Sequence, residues 1–109
     1  MNNAESSELS FESFSQFYRY YLAEHADVNC RRMHFIGTTG VLSIIALIIA
    51  TGNLWWLLLM PICGYGFAWV GHFAFERNKP ATFKFPLYSL AGDWVMYRDI
   101  LIGRVSLLR

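Results

Sequence analysis

Three histidines, His25, His34 and His72, are the only imidazoles in the chain, and one carboxylate, Glu76, follows the last of them by four residues. A neutral imidazole offers a ring nitrogen to Fe, Zn, Cu or Ni. Two or three of them, with or without a carboxylate and with positions left open, form the donor set of mononuclear non-haem Fe(II) oxygenases. Residues four apart share a helix face, so His72 and Glu76 project together if that stretch is helical. A closed structural zinc site would more often be rich in cysteine. Cys30 and Cys63 lie far apart and neither belongs to a CxxC pair, so each reads as a small packing residue. Three histidines are too few for a many-histidine di-iron centre, which leaves the chemistry of a single ion.

The elements between these residues decide whether they can meet. From Met33 to Phe75 there is no Lys, Arg, Asp or Glu, although the chain holds nine basic and eight acidic residues. A helix rising 1.5 Å per residue needs about 20 residues to cross a hydrocarbon core, so the stretch suffices for two passes. Thr51-Gly52-Asn53 is a short uncharged turn, and helices so joined must be antiparallel neighbours. The expected fold is all-α and membrane-integral, with transmembrane helices at about 33–50 and 54–75. His34 lies 18 residues before Gly52 and His72 lies 19 after Asn53, which places both at the same depth. Gly64, Ala68 and Gly71 supply small surfaces for close helix approach. Trp55 and Trp56 sit beside the turn, where an aromatic belt is expected.

Phe11, Phe14, Phe17, Tyr18, Tyr21, Leu22 and His25 recur at three- and four-residue spacing and draw a stripe along an amphipathic helix suited to the membrane surface. On one unbroken helix His25 would face away from His34, since nine steps of about 100° leave them half a turn apart. Residues 26–29, Ala-Asp-Val-Asn, read as a break that removes this objection. Residues 1–10 have the composition of a disordered tail, with Ser10 as a cap, so 11–109 forms the one helical membrane domain. That acidic start lacks the pattern of a signal peptide. Pro80 ends the second crossing, and a last helix is expected from Tyr88 to about Gly103. Its Leu87, Leu90, Ala91, Trp94 and Leu101 share a face, while Asp93 and Asp99 point elsewhere as cap or solvent residues. That helix is expected to be interfacial or packed on the hairpin. Arg31, Arg32, Arg77, Lys79 and Lys84 flank the open end, and the positive-inside rule puts both termini in the cytoplasm. A net charge of +1 with no basic run argues against nucleic acid.

The runs Phe17-Tyr18-x-x-Tyr21-Leu22-x-x-His25, Arg31-x-x-His34-Phe35-x-Gly37-Thr38, Ala68-Trp69-x-Gly71-His72-Phe73-x-x-Glu76-x-Asn78-x-Pro80-Ala81-Thr82-Phe83 and Pro86-Leu87-x-Ser89-Leu90-x-x-Asp93 resemble the membrane family of the fungal 2-hydroxy fatty acid dioxygenase. The resemblance covers nearly everything after Phe11. It implies an Fe(II)-dependent enzyme that uses O₂ to shorten a 2-hydroxy fatty acid by one carbon, with His25, His34 and His72 as iron ligands. Arg31 is then the residue expected to pair with the substrate carboxylate, and Glu76 a further ligand or a residue that orients an imidazole. The chain departs from the fungal form in its compactness and in having Cys30 where Asn is expected. Compactness favours a bacterial inner membrane over the endoplasmic reticulum. Two other classes fit the apolar hairpin: a haem protein in which His34 and His72 clamp the iron, and a non-enzymatic membrane scaffold.

Overall fold

The computed structural model describes residues 11–80 and 84–108, and every regular element among them is helical. The expected tail at 1–10, with Ser10, lies outside the described residues. Helix α1 (Phe14–Ala23) is capped instead by Ser13, whose hydroxyl accepts from the Gln16 N–H at 3.3 Å. Helix α2 (Val28–Thr51) is capped by Asp27, which accepts from the N–H groups of Asn29 at 2.7 Å and Cys30 at 3.3 Å. The break is therefore confined to residues 24–27. The Asp that interrupts one helix starts the next, and α2 opens five residues before the expected crossing.

Helix α2 ends on Gly52, whose φ of 68° is a left-handed conformation that only glycine adopts freely. Asn53 then caps α3 (Leu54–Glu76) by accepting from the Trp55 N–H at 3.0 Å. The winding of α3 is uneven. Leu54–Leu59 is a tight 3-10 stretch, which fits the following Pro61: it has no N–H, and its ring crowds the carbonyl four residues back. Ile62–Gly66 and Gly71–Glu76 are wide π-helical turns. Helices α2 and α3 are long and apolar enough to cross a membrane, at 24 and 23 residues. Only 17 % and 11 % of their apolar windows are buried inside the protein, so Ile49, Leu54, Leu58, Ile62 and Val70 face outward. A soluble helical core would show the reverse. Backbones approach closely where the side chains vanish: a Cβ on Gly37 would fall 2.6 Å from the Cys63 carbonyl oxygen, and one on Gly71 would fall 3.1 Å from Cys30 Cα and Sγ.

Helix α4 (Pro86–Leu101) starts with Pro86 in its first turn, where a missing N–H costs nothing. Its leucines share one face, as the spacing predicts, and that face turns outward while the helix packs on α1 and α2. Leu87, Leu90, Trp94 and Leu101 are exposed, while Ser89, Gly92, Met96 and Asp99 are buried. The inward face is the small and polar one because the groups it meets are polar: Tyr18 Oη donates to Asp99 Oδ2 at 2.7 Å, Tyr21 Oη donates to Asp93 Oδ1, and Tyr97 Oη pairs with Thr39 Oγ1 at 2.9 Å. The aromatic stripe of α1 is likewise covered by protein, with Phe17 and Tyr21 packed on Met96 in the core and Phe11, Phe14, Phe85 and Tyr88 around them. The expectation of a helix laid on a membrane surface by that stripe is replaced by a helix docked on α4.

Candidate metal centre

The three histidines arrive from three different settings. His25 sits in the 24–27 break, His34 is in the second turn of α2, and His72 lies in the π-helical end of α3, a winding common at functional sites. All are buried, at 1 %, 7 % and 1 % relative exposure. Their Nε2 atoms converge: His25 Nε2 is 3.1 Å from His34 Nε2 and 2.9 Å from His72 Nε2.

The far side of each ring fixes what the near side carries. His25 Nδ1 lies 2.6 Å from the Tyr21 carbonyl oxygen, which can only accept, so the proton is on Nδ1 and the lone pair on Nε2. His72 Nδ1 lies 2.7 Å from Asn78 Oδ1. The Asn78 amide cannot be turned over, because its Nδ2 donates to the Glu24 carbonyl at 3.1 Å and to Glu24 Oε2 at 2.7 Å. His72 Nε2 therefore also carries a lone pair. His34 Nδ1 faces Asp93 Oδ1 at 3.6 Å. Two lone pairs 2.9 Å apart repel unless a cation lies between them. Protonation does not supply one readily, since burial first and His72 second push the His25 imidazolium down to about 3. Three nitrogens bound near 2.1 Å at right angles to one ion lie about 3 Å from one another, so the donor set fits a metal. The outer partners, a carbonyl, an amide and a carboxylate, are those that orient metal-bound imidazoles.

A fourth donor type joins them. The ligating atoms of His25, Cys30, His34 and His72 all lie within 4.8 Å of one another, and Cys30 is fully buried. Cys30 packs under Gly71, in keeping with the reading of it as a small packing residue, and at the same time stands one helical turn before His34, among the converging donors. Cys63 is free, and its carbonyl lies under Gly37.

Glu76 and Arg31 are near the centre but turned to other tasks. Glu76 Oε1 accepts from the Asp27 N–H and is not among the converging donors. Arg31 Nε donates to the His25 carbonyl at 2.8 Å and its Nη1 to the Ser106 carbonyl at 3.2 Å. Arg32 Nε donates to the Leu107 carbonyl at 2.8 Å. These residues tie the His25 segment and the C-terminal segment to the start of α2. Asp93, expected as a cap or solvent residue, stands beside His34, and burial pushes its carboxyl up to about 6 with the Tyr21 hydroxyl pulling the other way.

A small cavity of about 20 Å³ touches the three histidines together with Tyr65, Ser89 and Asp93. A larger cavity of about 240 Å³, lined by Thr38, Val41, Met60, Gly64, Leu90 and Trp94, lies next to it and shares three of its lining residues, His34, Tyr65 and Asp93. His25 stands within hydrogen-bond distance of both His34 and His72, which leaves no slot for a porphyrin plane between those two.

No curated protein and no solved structure matches the chain significantly. A protein-family model does, that of the 2-hydroxy-palmitic acid dioxygenase Mpo1-like proteins, over residues 11–105. That span takes in every helix, the 24–27 break, the three histidines and both cavities. The protein whose imidazoles converge in this way belongs to the 2-hydroxy-palmitic acid dioxygenase Mpo1-like family.

Proposed function

We propose that the protein is a membrane-integral Fe(II) dioxygenase that shortens a 2-hydroxy fatty acid by one carbon. The observation that carries this reading is the meeting of three buried Nε2 atoms, two of which, on His25 and His72, carry lone pairs fixed by the partners of their Nδ1 atoms. The family's name supplies the substrate class. The balance closes without an outside reductant: 2-hydroxy acid plus O₂ gives the acid one carbon shorter, CO₂ and water.

In this reading His25, His34 and His72 hold the iron, which supplies Lewis acidity and a site for O₂ when bound. Asn78 holds the lone pair of His72 inward, and the Tyr21 carbonyl does the same for His25. Glu76 and Arg31 act by positioning. Glu76 anchors the Asp27 N–H, Arg31 anchors the His25 carbonyl, and together they fix the break that delivers His25. Arg31 lines neither cavity, so a direct contact with the substrate carboxylate requires it to leave the Ser106 carbonyl. The outward apolar faces of α2 and α3 meet lipid, and Arg31, Arg32, Arg77, Lys79 and Lys84 place both termini in the cytoplasm.

One observation favours a second reading. Cys30 beside three histidines offers the four donors of a closed tetrahedral zinc site. Metal analysis of anaerobically purified protein separates the two, together with O₂ uptake on adding 2-hydroxypalmitate. About one iron per chain is expected, lost with substrate-dependent O₂ uptake in His25→Ala, His34→Ala and His72→Ala, and retained in Cys30→Ser. Zinc that depends on Cys30 would establish the closed site instead. No metal under any reconstitution would leave a scaffold, and a Soret band a haem protein.

A further inference from the structure

Resting on that reading of the site, we propose that the groove between α2, α3 and α4 holds a single acyl chain, with Ser89 binding the polar head of the same molecule. Ser89 is buried to 3 % exposure, and its hydroxyl has no hydrogen-bond partner. It lines the small cavity that the three histidines share. A buried hydroxyl left unpaired is costly, and a ligand oxygen placed in that cavity satisfies it. The larger cavity shares the lining residues His34, Tyr65 and Asp93, and its remaining lining is almost wholly apolar: Val41, Met60, Pro61, Gly64, Leu90 and Trp94, with Thr38 the exception.

The linings suggest the occupant. The small cavity, about 20 Å³, is bordered by the three histidines, Ser89 and Asp93 and has room for an atom or two of a head group; the larger, about 240 Å³, is bordered mostly by apolar side chains. From His34 to Val41 the groove follows α2 for seven residues, a run of about 10 Å at 1.5 Å rise. A ligand with a polar head and a long apolar tail sets each part against the side chains that suit it. Gly64 lines the groove beside Val41, and a Cβ placed there would approach Val41 Cγ2 to 3.4 Å. That is ordinary contact, so alanine is admitted, but a large side chain would enter the groove. Chains that stop short of this level never meet residue 64.

Two experiments test the proposal. In the first, a 2-hydroxypalmitate analogue carrying a photoreactive diazirine near mid-chain is bound to the iron-loaded protein, cross-linked and mapped. Label is expected on Val41, Met60, Gly64 or Trp94 in the wild type and is expected to be displaced by Gly64→Phe. Label spread over outward residues such as Ile49, Leu57 and Leu58, unchanged by Gly64→Phe, would overturn the groove. This readout needs no turnover, so it decides the groove even if the dioxygenase reading fails. In the second, Gly64→Phe is expected to lower kcat/KM for 2-hydroxypalmitate relative to 2-hydroxyhexanoate by about tenfold or more, with iron content unchanged. Gly64→Ala, which the space admits, gives the same direction with a smaller effect and covers the case in which the phenylalanine variant does not fold. An equal effect on both chain lengths would overturn the proposal. Ser89→Ala is expected to raise KM for the 2-hydroxy acid about fivefold through the loss of one hydrogen bond, while KM for the hydroxyl-free acid in competition assays changes less. Identical shifts for both would remove Ser89 from the head-group site.

Discussion

At the scale of single residues, the centre depends on which ring nitrogen of each histidine carries the proton. Asn78 sets this for His72, and Glu24 sets the orientation of Asn78. Asn78→Leu is therefore expected to weaken metal binding by about 10- to 100-fold, the usual effect of removing an outer partner. Competition with a chelator of known affinity measures it, and Asn78→Asp, which keeps an acceptor for the Nδ1 proton but sets a carboxylate oxygen against the Glu24 carbonyl and carboxylate, should recover only part of the loss. A variant that binds metal like the wild type would mean that His72 is oriented by packing alone. The histidines themselves were legible in the sequence, because equal counts from the turn put His34 and His72 at one depth and the break released His25. Their partners were not. The roles of Asn78 and Asp93 require the chain after α3 to turn back and α4 to approach. Arg77, in the left-handed region at φ 60°, makes that return and brings the Asn78 N–H to the His72 carbonyl at 3.0 Å. No periodicity announces such a turn at an arginine.

At the scale of elements, close approach of α2 and α3 is what brings the donors within reach. Gly37 is the tightest point of that approach. Gly37→Ala is expected to destabilise the protein by about 1–3 kcal/mol, the usual cost of overpacking a close contact. Gly66→Ala, where nothing stands within 4 Å of the added Cβ, should be neutral or slightly stabilising. Thermal unfolding of the two variants in the same detergent compares them directly, and equal midpoints would show that the helices separate at no cost. The hairpin could be read from the sequence because an uncharged stretch of that length has few other uses. For helix α4 the spacing showed that the leucines share a face but not which way that face turns. In a protein whose hairpin turns its own apolar side chains outward, Leu87, Leu90 and Leu101 belong to the same outer surface as Ile49 and Leu58. The inward contacts fall instead to Ser89, Met96 and Asp99. Gly71 and Ala68 were expected at the helix contact and are there, both buried, while Gly37, three residues before Gly40, was not among the residues expected there.

For the whole molecule, the three imidazoles do not come from one rigid piece. His34 and His72 ride on the hairpin, whereas His25 rides on the segment that leads out of α1, held by Glu76, Asn78, Arg31 and the docking of α1 on α4. An ion gripped by all three rivets the N-terminal helix to the rest, so its binding energy is also folding energy. With free metal at 100 times its dissociation constant, mass action adds about 2.7 kcal/mol to stability. Chelation should therefore loosen α1 before the hairpin, and limited proteolysis should cut near residues 24–27 in the stripped protein while sparing the reloaded one. Cleavage at equal rates in both would show that packing on α4 suffices to hold α1. The rivet gives the supply of metal a second meaning: a shortage would shorten the lifetime of the polypeptide as well as silence its chemistry, so the amount of protein in the cell would follow the amount of ion available to it.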